Sequence, residues 1–372
     1  MKRFFCGILM VATLLAMWSC SNKSKNDDGA SSDLKYATGL VITKGNGYTK
    51  VTVKDPWNKG KNLQTYVLVA RNGNTPTDLP EGVVVKVPLQ SALVYSDVHA
   101  SIIKELGAIS SVKAVCDAQY FKTQEISGGL KSGGVVDCGS SMSPNVEKIV
   151  SAAPEAILLS PFQNGGFGAL SNLGIPIIQL SDYMEQSPLG RAEWVKFVGL
   201  LFGKSAEAES LFGKVADDYN SLLGLVGETS ERPKVISETV MSGVWYVPGG
   251  KSYKAAFFKD AGADYPWASD ESSGSLPLDF AQVLSKAQDA DVWLVTTLGR
   301  DLTADGLLAM YPHNDEFAAY KNHGVFYANT AESRLFEETP FHPEMLLKEY
   351  IKIFHPEVLP DYELRYYKPM KY

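Results

Sequence analysis

From Leu93 to Phe354, short apolar runs alternate with stretches whose apolar residues recur at helical spacing, and this alternation constrains the fold more than any other feature. Each short run reads as a buried strand and each helical stripe as the connection that returns the chain, the grammar of a helix-covered βα sheet. Leu93-Val94-Tyr95 precedes a helix from about Val98 to Leu106, and Val112 to Val115 is the next strand. Asn145 opens a helix with Val146, Ile149 and Val150 as its apolar stripe, ahead of a buried strand at Ala156 to Leu159. Ile175 to Ile178 resumes the sheet. Earlier in the chain the period differs. Tyr48, Val51 and Val53, a polar KGKN turn and Tyr66 to Val69 predict an antiparallel hairpin.

The longest helical stretch runs from Arg191 to Leu225, interrupted at Gly203-Lys204. Two readings fit it: a core helix pair of a single domain, or a connector between two lobes. The βα pattern restarts afterwards with Val235-Ile236, Val244 to Val247, helices at Lys254 to Ala261 and Phe280 to Ala287, and a strand at Val292 to Val295. Val325 to Tyr327 is the last strand and Pro343 to Phe354 the last helix. A chain of this length exceeds what one compact core usually holds, so two lobes are expected.

The amino terminus addresses the chain to a compartment. Lys2 and Arg3 precede an apolar run, Ile8 to Trp18, that is too short to span a bilayer and reads as a secretory signal. Ala16-Met17-Trp18-Ser19-Cys20 resembles a bacterial lipobox, which makes Cys20 the lipidated first residue of the mature protein. Ser21 to Asp33 holds nothing to bury and reads as a flexible tether. The expected organisation is a signal peptide over 1–19, a lipidated tether over 20–35, a first lobe with its leading hairpin over 36–190, a helical connector over 191–226 and a second lobe over 227–372. Without Lys2 and Arg3 the formal charge of −7 becomes −9, and an acidic chain without a basic cluster argues against nucleic acid as partner. Cys116 and Cys138 are the cysteines left in an oxidising compartment, and pairing or two buried thiols both fit.

Two segments repeat one order of cap, amphipathic helix and strand: Ser143-Pro144-Asn145-Val146-Glu147 onward to Leu159, and Asp279-Phe280-Ala281-Gln282 onward to Val295. With Leu106-Gly107 before Val112 to Val115, Leu173-Gly174-Ile175-Pro176, and Phe197 to Gly203 ahead of the long helix, the set resembles the periplasmic binding proteins for ferric siderophores, haem and cobalamin. The resemblance covers about residues 83 to 355. It implies an α/β protein of two Rossmann-like lobes joined by a single long helix, here with an extra N-terminal β-hairpin. It implies a monomeric, non-enzymatic carrier with no intrinsic cofactor, which captures an iron chelate or corrinoid and delivers it to an ABC permease with its ATPase. A glutamate near a helix start in each lobe docks on the permease in that family. Glu147 matches the first position; the second falls on Ala281, with Asp279 the nearby carboxylate.

Loops after the strands face the cleft in such a fold, and large flat ligands need aromatic walls with a few polar groups. The candidates are Ser96, Tyr120, Phe121, Phe162 and Phe167 in the first lobe, and Trp245, Tyr246, Arg300, Arg334 and Phe336 in the second. Arg334 suits an anionic siderophore, a haem propionate or a corrinoid phosphate. Gly165-Gly166 lets the Phe162 loop reshape around a bulky guest. The five histidines show no i, i+3 or i, i+4 pair, so a Zn or Mn site would need distant loops; His99 lies at a helix start from which it can reach the cleft. No Gly-x-Ser-x-Gly elbow, His-Glu-x-x-His or Walker loop marks an enzyme. The alternatives are a Zn/Mn carrier, a surface scavenger working with an outer-membrane transporter and, last, a secreted hydrolase.

Overall fold

In the computed structural model, which describes residues 34–372 apart from Glu228, the chain begins with a mixed sheet. Its strands are β1 (Leu40–Lys44), β2 (Tyr48–Lys54), β3 (Asn62–Ala70) and β4 (Val83–Val87), in that spatial order. β2 and β3 pair antiparallel, whereas β4 lies parallel to β3. The signal, Cys20 and the tether up to Asp33 lie outside the described residues.

The βα alternation follows: β5 (Ala92–Val94), α1 (Asp97–Glu105), β6 (Val112–Val115), α2 (Gln124–Ser132), β7 (Val136–Asp137), α3 (Val146–Ala152), β8 (Ala156–Leu159) and β9 (Ile177–Gln179). These five strands form one parallel sheet in the order β7-β6-β5-β8-β9. β5 and β8 are buried at every residue, as central parallel strands covered on both faces must be. Side chains at the helix starts satisfy orphan amides: Ser96 accepts from Val98 N and Asn145 from Lys148 N.

The stretch that reads as one long helical connector is three helices: α4 (Pro188–Glu193), α5 (Val195–Phe202) and α6 (Ser205–Gly227). Gly203 ends α5 at φ 68°, and a Cβ there would meet Pro88 Cβ at 3.0 Å, so both backbone and neighbour require glycine.

The second half holds β10 (Val235–Ser237), β11 (Val240–Met241), β12 (Val244–Pro248), α7 (Tyr253–Asp260), β13 (Ser275–Leu278), α8 (Phe280–Ala287) and β14 (Val292–Thr297). It ends with α9 (Ala304–Met310), α10 (Ala318–Lys321), β15 (Val325–Asn329), α11 (Leu335–Glu338), α12 (Pro343–Phe354) and β16 (Lys368–Pro369). β10, β14 and β15 are parallel, β16 closes the edge antiparallel, and β11-β12-β13 form a separate antiparallel sheet. Trp245 of β12 stacks on Trp293 of β14 at 5.4 Å and meets Phe317 edge-on at 5.6 Å, which fastens the two sheets together.

Both ends of the described chain are held by buried helix carboxylates. Glu193 of α4, fully buried, accepts from the backbone N–H of Lys35, Tyr36 and Ala37 at 2.7–3.0 Å. Glu185 accepts from Thr38 N, Gly39 N and the Trp194 indole. Lys35, assigned to the tether by its composition, is therefore docked. Glu349 of α12, equally buried, accepts from Arg365 N, Tyr366 N and Tyr367 N at 2.7–3.0 Å. Removing such an acceptor strands partly buried donors. Glu193→Ala is expected to lower stability by about 1–3 kcal/mol, read as a lowered urea midpoint, with Glu193→Gln losing less.

Candidate functional site

The first parallel sheet reverses its strand order at β5: the chain builds β6 and β7 on one side, then crosses to β8 and β9 on the other. Loops leaving β5 and β8 at such a reversal diverge, and a crevice opens at the carboxyl ends of the strands. A cavity of about 710 Å³ lies there, lined by Tyr95 and Ser96 after β5, Ser141 to Pro144 ahead of α3, and residues 159–162 and 165–170 from the end of β8 onward. Ser96 and Phe162, expected from sequence, meet in it, joined by Phe167. Phe162 is 68% exposed, an aromatic face turned to solvent. Its loop bends back tightly, since a Cβ on Gly165 would lie 3.1 Å from the Phe162 carbonyl oxygen. Tyr95, Met142 and the serines at 141, 143 and 160 were not anticipated; their signal was position alone, directly after or between strands.

Beneath the crevice Cys116 and Cys138 are buried with Leu93, Ile157 and Leu170. Both are free thiols. Burial pushes the Cys116 thiol up to about 12, partly offset by the Tyr95 hydroxyl, and burial raises Cys138 as well. Neither is a thiolate near neutral pH, so they act as small apolar side chains.

Other candidates sit elsewhere. Trp245 is completely buried in the aromatic core and cannot wall a pocket, a correction explained by its packing between β14 and α8. Phe121 is likewise a core residue. Tyr120, Tyr246 and Phe336 are exposed, as is Arg300, but they line neither this cavity nor the second one described below. His99 is buried against Asp182 at 3.0 Å rather than turned to the cleft. Burial pushes the Asp182 carboxyl up, yet His99 and then Arg191 hold it below the usual range. Glu147 is exposed in the first turn of α3. Asp279 is an N-cap, its carboxylate accepting from Gln282 N while Gln282 returns a bond to Asp279 N.

A second cavity, about 670 Å³, lies where α1 meets α11, and Arg334 belongs to it. Its guanidinium is committed to Ser101 Oγ at 2.6 Å and Glu338 at 3.1 Å, so it is not a free anion receptor. Lys122 crosses from the first half to the second, donating to the Thr330 and Ser333 carbonyls at 2.5 and 2.9 Å and pairing with Glu337 at 3.0 Å. His342 bridges Glu105 at 2.7 Å and Glu344 at 2.9 Å. These contacts are a polar clasp between the two halves of the chain.

Residues 99–331 match the family model described as periplasmic binding protein. An uncharacterized lipoprotein of Methanocaldococcus jannaschii is 31% identical over 255 residues, 65% of this chain, and the chain spans about 60% of that relative's length. A second uncharacterized lipoprotein of the same organism is 25% identical with both chains fully covered. Among solved structures, a possible iron-binding periplasmic solute-binding protein from Staphylococcus epidermidis has a TM-score of 0.58 at 15% identity, covering 72% of this chain and 99% of its own. A periplasmic haem-binding protein from Pseudomonas aeruginosa has a TM-score of 0.57 at 14% identity, covering 72% and 94%. At these identities the structural likeness carries the fold. Among the described residues no helix is long and apolar enough to cross a membrane.

The clasp titrates. Burial lowers the His342 pKa, but hydrogen bonds to Glu105 and Glu344 outweigh it and raise the value to about 9, so the ring is an imidazolium donating from both nitrogens at neutral pH. A group raised in the folded state contributes stability that is full below its ordinary value of about 6.5 and is lost as pH rises through the folded one. Melting temperature should therefore fall between pH 7 and pH 10, and His342→Gln should flatten that dependence while lowering the neutral-pH value.

Proposed function

We propose, since the chain belongs to the periplasmic binding protein family, that it is the lipid-anchored capture component of an ABC importer, carrying a metal chelate (ferric siderophore, haem or corrinoid) to its permease. The family is a transport component and not an enzyme. The observation that carries the reading is the crevice at the strand-order reversal, which has the volume and the exposed aromatic face to receive a flat organic ligand. Two lobes pivot about the 191–226 connector in this reading, with the second lobe completing the site over the crevice. The clasp of Lys122, Arg334 and His342 favours one relative orientation of the lobes, so that closure around the ligand is small.

In this reading the lipid on Cys20 anchors the chain to a membrane, on the periplasmic face or at the cell surface. Delivery rests on Glu147, exposed beside the positive end of α3, with Asp279 as a weaker second contact because its carboxylate is engaged in its own cap. Two measurements test this together: chelate binding by the purified protein, and uptake by cells carrying the importer. Glu147→Arg is expected to leave affinity unchanged within about twofold while uptake falls about tenfold or more, since a docking charge has been reversed. Parallel loss of affinity and uptake would remove Glu147 from the docking surface.

A further inference from the structure

The crevice contains no charged side chain. None of its 16 lining residues is Asp, Glu, Lys, Arg or His. Its polar groups are the hydroxyls of Ser96, Ser141, Ser143 and Ser160, the Tyr95 phenol and the backbone of the glycine-rich loop from Gly165 to Gly168. The Ser96 oxygen already accepts from Val98 N at 3.2 Å, which leaves its hydrogen to donate outward. The apolar part includes Phe162 and Met142, the latter 83% exposed and so present without a protein partner to cover it. The two cations Lys122 and Arg334 belong to the second cavity and are engaged there, Lys122 on two carbonyls and Glu337 and Arg334 on Ser101 and Glu338.

An anionic ligand seated here would shed the water around its carboxylates or catecholates and find no counter-charge on this wall of the site to replace it. Neutral amides fare differently. Each offers one acceptor and up to two donors, and serine hydroxyls with loop backbone answer both roles without a net charge. We infer that the crevice selects the uncharged, amide-bearing face of a metal chelate, with Ser141, Ser143 and Ser160 pairing with its amides and Phe162 and Met142 packing on its apolar framework. Two ligand types present that face: a corrinoid, whose ring is fringed with amides, and a ferric trihydroxamate, whose iron charge is cancelled by its three ligating groups. Haem, with two carboxylates, and a ferric tricatecholate, with a net negative charge, do not.

This inference rests on the proposed carrier function, and its test separates the two. Cyanocobalamin, a ferric trihydroxamate, haemin and a ferric tricatecholate are titrated calorimetrically against the full chain in detergent. An uncharged chelate is expected to bind at least about tenfold tighter than either anionic one, and comparison of the corrinoid with the trihydroxamate identifies the source. Met142→Lys, at a position too exposed to disturb folding, and Ser160→Lys should each weaken the uncharged ligand about tenfold and strengthen an anionic one. Equal or tighter binding of haemin or the tricatecholate would overturn the inference and leave the carrier function standing. An uncharged ligand indifferent to both lysine variants would overturn the crevice as its seat. Failure of all four chelates to bind would overturn the carrier function and the inference with it.

Discussion

The strand-order reversal at β5 is the constraint on which the rest depends. Once β6 and β7 pair to one side and β8 to the other, the connections must lie on opposite faces, and no backbone remains to fill the gap at the strand ends. The site is thus a by-product of topology, decorated afterwards by loop residues. The same reversal leaves β9 at the edge of the sheet, where unpaired backbone would invite association. Tyr66 of β3 seals it: its hydroxyl donates to Ile177 O at 2.9 Å and accepts from Gln179 N at 2.8 Å. The leading mixed sheet earns its place by covering the edge that the crevice-forming order creates.

A second economy recurs at the chain ends, where Glu193 and Glu349 each gather three consecutive backbone N–H groups. A segment too irregular to enter a sheet has donors that need partners, and one carboxylate with two oxygens satisfies a whole turn of them. Tyr362 donates to Glu349 as well, so this buried charge is ringed by donors instead of being paired with a cation.

How far the sequence revealed this can be argued residue by residue. β8 and α3 were legible because four apolar residues after Pro154 admit only a buried strand, and because Asn145 with Val146, Ile149 and Val150 spells a capped amphipathic helix. α8 was legible for the same reason, with Asp279 before its apolar stripe. Ser96 and Phe162 followed from position after strands. Trp245 misled because an aromatic in a strand looks alike whether it faces a cleft or a second sheet, and only its packing on Trp293 and Phe280 decides. Glu185 and Glu193 were invisible: a glutamate near a helix reads as a solvated charge until its long-range donors are known. Lys122 escaped for the converse reason, since its partners lie more than 200 residues away, and Arg334, named as an anion contact, instead meets the distant Ser101 and its own helix neighbour Glu338.

The convergence of three N–H groups on Glu193 also has a mechanical side. Tension entering the chain from its amino-terminal side reaches Lys35, Tyr36 and Ala37, whose bonds end on one carboxylate of one helix. Those bonds share one acceptor, and Glu185 provides the next catch at Thr38 and Gly39. A pull there is spread over α4 before it can peel β1 from β2. The chain thus meets force with a cleat ahead of its first strand, before the load reaches the sheet that shapes the crevice.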